Sequence, residues 1–188
     1  DADLTAFNAP PRANPISYHF LVGDGANSSV FATGIGSASL ESRIIGTVPF
    51  HSTAATYDQF RKAFDARYEI EDDPIPFTSQ MYDAVFLMAL AITDAHSTVG
   101  RDVRNKLYAV SGAAGGQRFE GPFFGDIANA VLAGKKVDYV GPSGEATFDA
   151  FGDVVGDYVI WQVQGPDAQG AFTIVNRQPL LAATFNPQ

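Results

Sequence analysis

The chain has 188 residues, 46% of them hydrophobic, and a formal net charge of -9 at pH 7. This length and composition predict a globular chain of one or two domains with a substantial core. The acidic balance argues against nucleic acid or an anionic membrane as partner, and the absence of cysteine excludes disulfides and thiolate metal sites.

The first fifty residues predict short extended segments separated by turns. Residues up to Asn14 are rich in Ala, Asn and Pro, which indicates irregular structure. The elements predicted after them are a strand at Tyr18–Val22, a turn at Gly23–Asn27, a short helix capped by Ser28 or Ser29, and a strand at Arg43–Val48.

An amphipathic helix is predicted at Tyr57–Tyr68. The segment Thr56–Gln59 has the form of a capping box, and aromatic residues follow it at helical spacing.

A second helix, at Phe77–Ala95, is the most apolar stretch of the chain. Between Met81 and Ile92 only Asp83 interrupts the apolar residues, so the helix should be buried on most sides. Thr78 or Ser79 can cap its start. The apolar run is too short to span a membrane.

The rest of the chain adds two shorter helices and then changes to a period of two. Strands and helices mixed along one chain predict the α/β class. The predicted helices contain Val103–Val110 and Ile127–Val131, and the predicted strands are Val137–Val140, Ala146–Phe148, Tyr158–Val163 and Ala171–Val175, the last two forming a hairpin.

No catalytic, metal or cofactor motif stands out. The three histidines, His19, His51 and His96, lie at unrelated spacings. A hydrolase is disfavoured because Gly141–Gly144 misses the Gly-x-Ser-x-Gly pattern by one residue.

Asp24 is the acidic residue of most interest. It lies between two glycines at the end of a predicted strand, where open α/β folds place their ligand crevice. An aspartate that bonds its own backbone in a turn is the alternative, and the pattern leaves both open.

Three segments together resemble the branched-chain amino-acid binding proteins of ABC transporters, which are type I periplasmic binding proteins. The segments are Tyr82–Ile92, Tyr139–Asp149 and Gly152–Trp161, and the likeness extends from about Tyr18 to about Val175.

The resemblance implies an α/β, type I periplasmic-binding-protein-like fold, a two-lobed sandwich around a ligand cleft, of which only the C-terminal portion is present. Residues 1–48 and 158–188 would belong to the second lobe and residues 49–157 to the first. The chain would cross between lobes near Val48–His51 and Gly156–Tyr158.

The resemblance also implies the ligand-binding residues. The family's acidic ammonium ligand corresponds to Asp24, beside Gly25. Its aromatic pocket residue corresponds to the neighbourhood of Ser79, which is not aromatic, with Phe77 close by.

The implied function is non-enzymatic: the solute-binding component of an ABC importer, periplasmic or held outside the cell at the membrane. Its partners would be an amino acid or related carboxylate, the permease, and a missing N-terminal segment or second chain. The alternative is a ligand-sensing receptor or regulatory domain of the same fold.

Overall fold

The computed structural model describes residues 18–36, 40, 43–50, 55–69 and 76–180. These residues form two sheets, one of four strands and one of three, together with five α-helices, so the predicted α/β class is confirmed. The strands are β1 (Phe20–Val22), β2 (Ile44–Pro49), β3 (Gln117–Glu120), β4 (Val137–Gly141), β5 (Gly144–Glu145), β6 (Tyr158–Gln164) and β7 (Thr173–Leu180). The helices are α1 (Ser29–Thr33), α2 (Ala55–Tyr68), α3 (Thr78–Ala95), α4 (Gly100–Ser111) and α5 (Phe124–Leu132).

The four-stranded sheet combines the two ends of the described chain, in the order β1-β2-β6-β7. Strands β1 and β2 are parallel, whereas β2 with β6 and β6 with β7 are antiparallel, which confirms the predicted hairpin. Alternate residues of β2 and β6 are buried, as the period of two requires. Its core consists of Ile35, Ile44, Val48, Val159, Trp161 and Val163.

The three-stranded sheet has the order β3-β4-β5, with β3 and β4 parallel and β5 antiparallel to β4. Helices α3, α4 and α5 bury their apolar faces around β4 in a second core. That core includes Phe86, Leu87, Leu90, Val103, Val110, Ile127, Val131, Val137 and Tyr139.

Gly46 is required where β2 passes under the chain's single tryptophan. Trp161 is fully buried, and a Cβ at position 46 would lie 2.3 Å from its Cζ2 atom. Gly46 is also paired on both sides, with Val22 and with Trp161, so the strand has little room to move away.

We therefore expect Gly46→Ala to lower the free energy of unfolding by about 1–3 kcal/mol through overpacking. Urea unfolding followed by the fluorescence of Trp161 measures the change. Gly125→Ala is the matched control, because a Cβ there meets nothing within 4 Å and the site is helical. A loss of stability in the control as large as in Gly46→Ala would contradict the packing argument.

The helix starts differ from two predictions. The α2 helix begins at Ala55, so Thr56 is not its cap. The Thr56 side chain is buried inside the first turn, and its hydroxyl has no hydrogen-bond partner among the described residues. The N-cap position of α3 is Phe77 rather than Thr78 or Ser79, and the Phe77 side chain makes no capping hydrogen bond. The predicted cap of α1 is correct, because Ser28 Oγ accepts a hydrogen bond from Phe31 N at 3.1 Å.

Two strand predictions also differ. Strand β3 was missed, because three of its four residues are exposed and polar and carry no apolar alternation. The strand predicted at Ala146–Phe148 lies instead at Gly144–Glu145, which is β5. Phe148 makes an isolated β-bridge with Val154. The irregular segment predicted up to Asn14, and His51, lie outside the described residues.

Helix α3 is buried on one face only, so the prediction of burial on most sides is wrong. Met81, Val85 and Met88 are 64%, 63% and 48% exposed. Among the described helices, none combines the length and the apolar character that crossing a bilayer requires.

Candidate functional site

Asp24 and Gly25 lie where β1 ends. Because β1 and β2 are parallel, their carboxyl ends share one edge of the sheet. Asp24 opens a short 3-10 helix, Asp24–Ala26, directly after that edge, and both residues are exposed. This is the position that open α/β folds use for ligands.

The carboxylate of Asp24 is only partly engaged. Its Oδ1 accepts a hydrogen bond from Gly25 N at 2.7 Å, which is the kind of local bond that the turn interpretation predicted. Within the described part of the chain the Asp24 side chain makes no other hydrogen bond or ion pair. Its second oxygen can therefore accept a hydrogen bond from a cationic group.

Phe77 is held in an unusual conformation at the start of α3. Its φ is 73°, in the left-handed region that bulky side chains rarely occupy, and 42% of it is exposed. Such backbone strain costs about 1–3 kcal/mol and is found preferentially at functional sites.

Ser79 lies two residues further on and is 4% exposed. Its hydroxyl donates to Oε1 of its neighbour Gln80 at 3.0 Å. Of the two residues that the sequence singled out here, Phe77 is therefore the accessible one.

The structure brings the four predicted residues together in pairs. Asp24 and Gly25 follow β1 of the four-stranded sheet, while Phe77 and Ser79 start the helix that packs on the three-stranded sheet. No hydrogen bond or ring contact joins the two pairs in the described residues. In the same part of the chain, no group of three His, Asp or Glu side chains is placed to hold a metal ion.

Asp83 is a buried carboxylate that the sequence showed only as a break in an apolar run. It is 2% exposed, and three donors from one strand and its turn converge on it. Tyr139 donates its hydroxyl to Oδ1 at 2.8 Å, Ser143 donates its backbone N–H to Oδ2 at 2.7 Å, and the Ser143 hydroxyl donates to Oδ2 as well.

Burial raises the pKa of Asp83 above its ordinary value of 3.8, and the bonds from Ser143 and Tyr139 oppose that shift without cancelling it. Burial and the adjacent carboxylate also raise the pKa of Tyr139. The phenol therefore stays protonated and remains a donor.

The raised pKa of Asp83 predicts a pH dependence of stability. The folded chain binds this proton more tightly than the unfolded chain, so the contribution is complete below pH 3.8 and is lost as pH rises through the folded-state pKa. The free energy of unfolding of the wild type minus that of Asp83→Asn should therefore decrease as pH rises above 3.8 and through the folded-state pKa. Urea titrations of both proteins measure this difference, in which all other titrating groups cancel. A difference that grows with pH would contradict the assignment.

An apolar groove of about 600 Å³ runs between α2, α3 and the start of α5. One wall is a row of aromatic rings on α2. The ring centroids of Phe60 and Phe64 are 5.7 Å apart, and those of Phe64 and Tyr68 are 4.8 Å apart. The exposed Met81 and Val85 of α3 form the floor. With its many apolar lining atoms, this surface is suited to protein contact rather than to a polar solute.

Two comparisons with known proteins bear on the site. A family profile described as "receptor family ligand binding region" matches residues 12–166. The chemotactic signal transduction system substrate-binding protein BasB of Halobacterium salinarum is 29% identical over 168 residues, which are 87% of this chain and 39% of that protein. The chain thus spans about two-fifths of the length of the curated relative it matches.

Proposed function

The chain belongs to the receptor family of ligand-binding regions, and we propose that it contributes to an extracytoplasmic solute-binding protein for an amino acid or a related carboxylate. The family consists of binding and receptor proteins rather than enzymes. The observation that carries the choice of ligand is Asp24, an exposed carboxylate at the shared carboxyl edge of β1 and β2 with one oxygen available.

Calorimetry tests the proposal directly. The full-length protein that contains this chain is titrated with the twenty amino acids and with the deaminated analogue of each one that binds. Binding of an amino acid, with weaker binding of its analogue, supports the assignment. Binding of neither class contradicts it.

We further propose how the chain is divided between two lobes. Residues 1–48 and 158–188 would belong to the second lobe, which contains the four-stranded sheet. Residues 49–157 would belong to the first lobe, with the three-stranded sheet and helices α2 to α5. Supporting this division, each sheet has its own hydrophobic core. The chain would then be the C-terminal portion of the family's two-lobed arrangement.

The two connections between these units lie side by side. Pro49 at the end of β2 is paired with Tyr158 at the start of β6, and Phe50 N donates to Asp157 O at 2.8 Å. Few backbone positions are available there to absorb a rotation of one unit against the other.

We expect open and closed forms to differ in backbone dihedrals at Val48–His51 and Gly156–Tyr158. Gly46 should not change, because it is paired with a strand on each side and packed under Trp161, whereas the residues at the end of β2 are paired on one side only. Crystal structures with and without ligand measure these angles. Rotation concentrated within α3 would overturn the division into lobes.

Two cellular roles fit such a protein. As the solute-binding component of an ABC importer it would deliver the ligand to a permease; as a sensory protein it would report the ligand to a signalling partner. The second role is favoured by the relative BasB, whose name places it in chemotactic signal transduction. Either role puts the protein in the periplasm or outside the cell at the membrane.

Deletion of the gene separates the roles. Loss of uptake of the radiolabelled ligand indicates the importer. Loss of migration towards the ligand with uptake intact indicates sensing.

A further inference from the structure

The direction of α3 follows from its contacts with β4. Asp83 bonds Ser143, just beyond the end of the strand, and the later residue Phe86 stacks on Tyr139, earlier in the strand, with ring centroids 4.6 Å apart. The helix therefore runs antiparallel to β4. Its first turn, which starts after Phe77, lies at the carboxyl end of β4, the edge where open α/β sheets bind ligands.

The bonds to Asp83 fix this arrangement closely. Strand β4 ends at Gly141, and a Cβ on that residue would lie 1.9 Å from Asp83 Oδ1. The helix and the strand can approach each other this closely only because residue 141 has no side chain. Asp83 thus binds the turn after β4 at a distance that a larger residue would not allow.

Phe77 is connected to Asp83 through the helix itself. Met81 N donates to Phe77 O at 2.8 Å, which joins the strained residue to the first turn. Phe77 precedes Asp83 by six positions, or roughly 9 Å along a helix axis. A shift of the helix at Asp83 would therefore move Phe77.

We propose that Asp83 is a positioning residue: through Tyr139 and Ser143 it holds the first turn of α3, and Phe77 with it, at the ligand-facing edge of the three-stranded sheet. Its effect on ligand affinity rests on the proposed binding function. Its effect on the position of the helix does not.

The test uses Asp83→Asn and Gly141→Ala. The asparagine keeps the shape of the side chain but has an NH2 group in place of one carboxylate oxygen, so it cannot accept from Tyr139 and Ser143 at the same time, and its remaining oxygen carries no charge. The alanine leaves Asp83 intact and separates the helix from the turn by its methyl group. Both variants therefore disturb the contact between Asp83 and the turn after β4, the first by changing the acceptor and the second by steric separation.

Amide hydrogen exchange measured by NMR reports whether the first turn of α3 is held in place, without any ligand. We expect the amide of Ser143 to exchange at least about tenfold faster in both variants, because its bond to a charged acceptor contributes that factor. The amide of Met81, which donates to Phe77 O, should also exchange faster, beyond any change at Leu90, because the first turn of α3 is then held less firmly. Val110→Ala is the control: it opens a cavity in the same core, away from the turn, and should speed Met81 and Leu90 alike. If Ser143 speeds up while Met81 only follows Leu90, Asp83 holds the turn alone and the proposal is wrong.

Calorimetry with L-leucine, or with whichever amino acid the wild type binds, adds the functional result. Asp83→Asn and Gly141→Ala should weaken binding more than Val110→Ala does at equal loss of thermal stability. Equal weakening in all three would overturn the positioning of Phe77 for ligand. If the wild type binds no amino acid, the proposed ligand fails, and the exchange rates alone decide whether Asp83 positions the helix.

Discussion

Asp24→Ala is expected to weaken amino-acid binding by about 10- to 150-fold, because a hydrogen bond to a charged group contributes about 1.5–3 kcal/mol. The side chain is exposed and follows the carboxyl end of β1, so its loss should change the fold little. Calorimetry gives the affinity, and thermal unfolding gives the stability.

The control is another turn aspartate. Asp167 accepts hydrogen bonds from Gln169 N and Ala171 N at 2.9 and 2.8 Å in the loop between β6 and β7, away from any parallel strand end. Asp167→Ala should lower stability and leave affinity unchanged. If Asp24→Ala behaves in the same way, Asp24 is a turn residue and not part of the site.

A second substitution at this position separates the ligand classes. For a carboxylic acid without an amine, Asp24 would repel the ligand, so Asp24→Asn should hold or improve its binding. For an amino acid the same variant should bind less well. The direction of the change thus identifies whether an ammonium group faces residue 24.

Local sequence patterns predicted most elements because their signals lie within a few residues. The Ser28 cap bonds three residues away, and the alternation of β6 places Val159, Trp161 and Val163 in the core. The patterns failed where tertiary packing decides. Thr56 resembles a helix cap in the sequence, yet the α2 helix extends past it and buries it.

The sequence likewise predicted only part of the candidate site. The position of Asp24 followed from a strand and its flanking glycines, and the structure places it at that strand end. The partners of Asp83 lie 56 and 60 residues away in the chain, so no local pattern could indicate them. The one available signal was a lone acid in an apolar helix, since a buried carboxylate requires hydrogen-bond donors.

The exposed face of α3 leads to the last prediction. Met81, Val85 and Met88 lie on one side of the helix, and the first two also line the groove formed with α2. The chain spans 39% of the length of its relative, and we proposed that it is the C-terminal portion of a two-lobed protein. This face should then need a cover: an N-terminal segment, a second chain or an exchanged copy of this one.

We expect the chain on its own to associate, with a mass by light scattering above its 20.0 kDa at concentrations near 100 μM. Val85→Lys places a charge in the middle of the face and should shift the population to monomer. Its own stability should change by less than about 0.5 kcal/mol, because the site is exposed.

Val30→Lys is the matched control, since Val30 is 80% exposed but lies on α1, beside the other sheet. It adds the same charge to the chain without touching the α3 face. Dissociation by Val85→Lys alone locates the association on that face, because a general effect of net charge would act through both variants. Equal dissociation by both, or a wild type that is monomeric with nothing bound, means that α3 tolerates its exposed apolar residues and needs no cover.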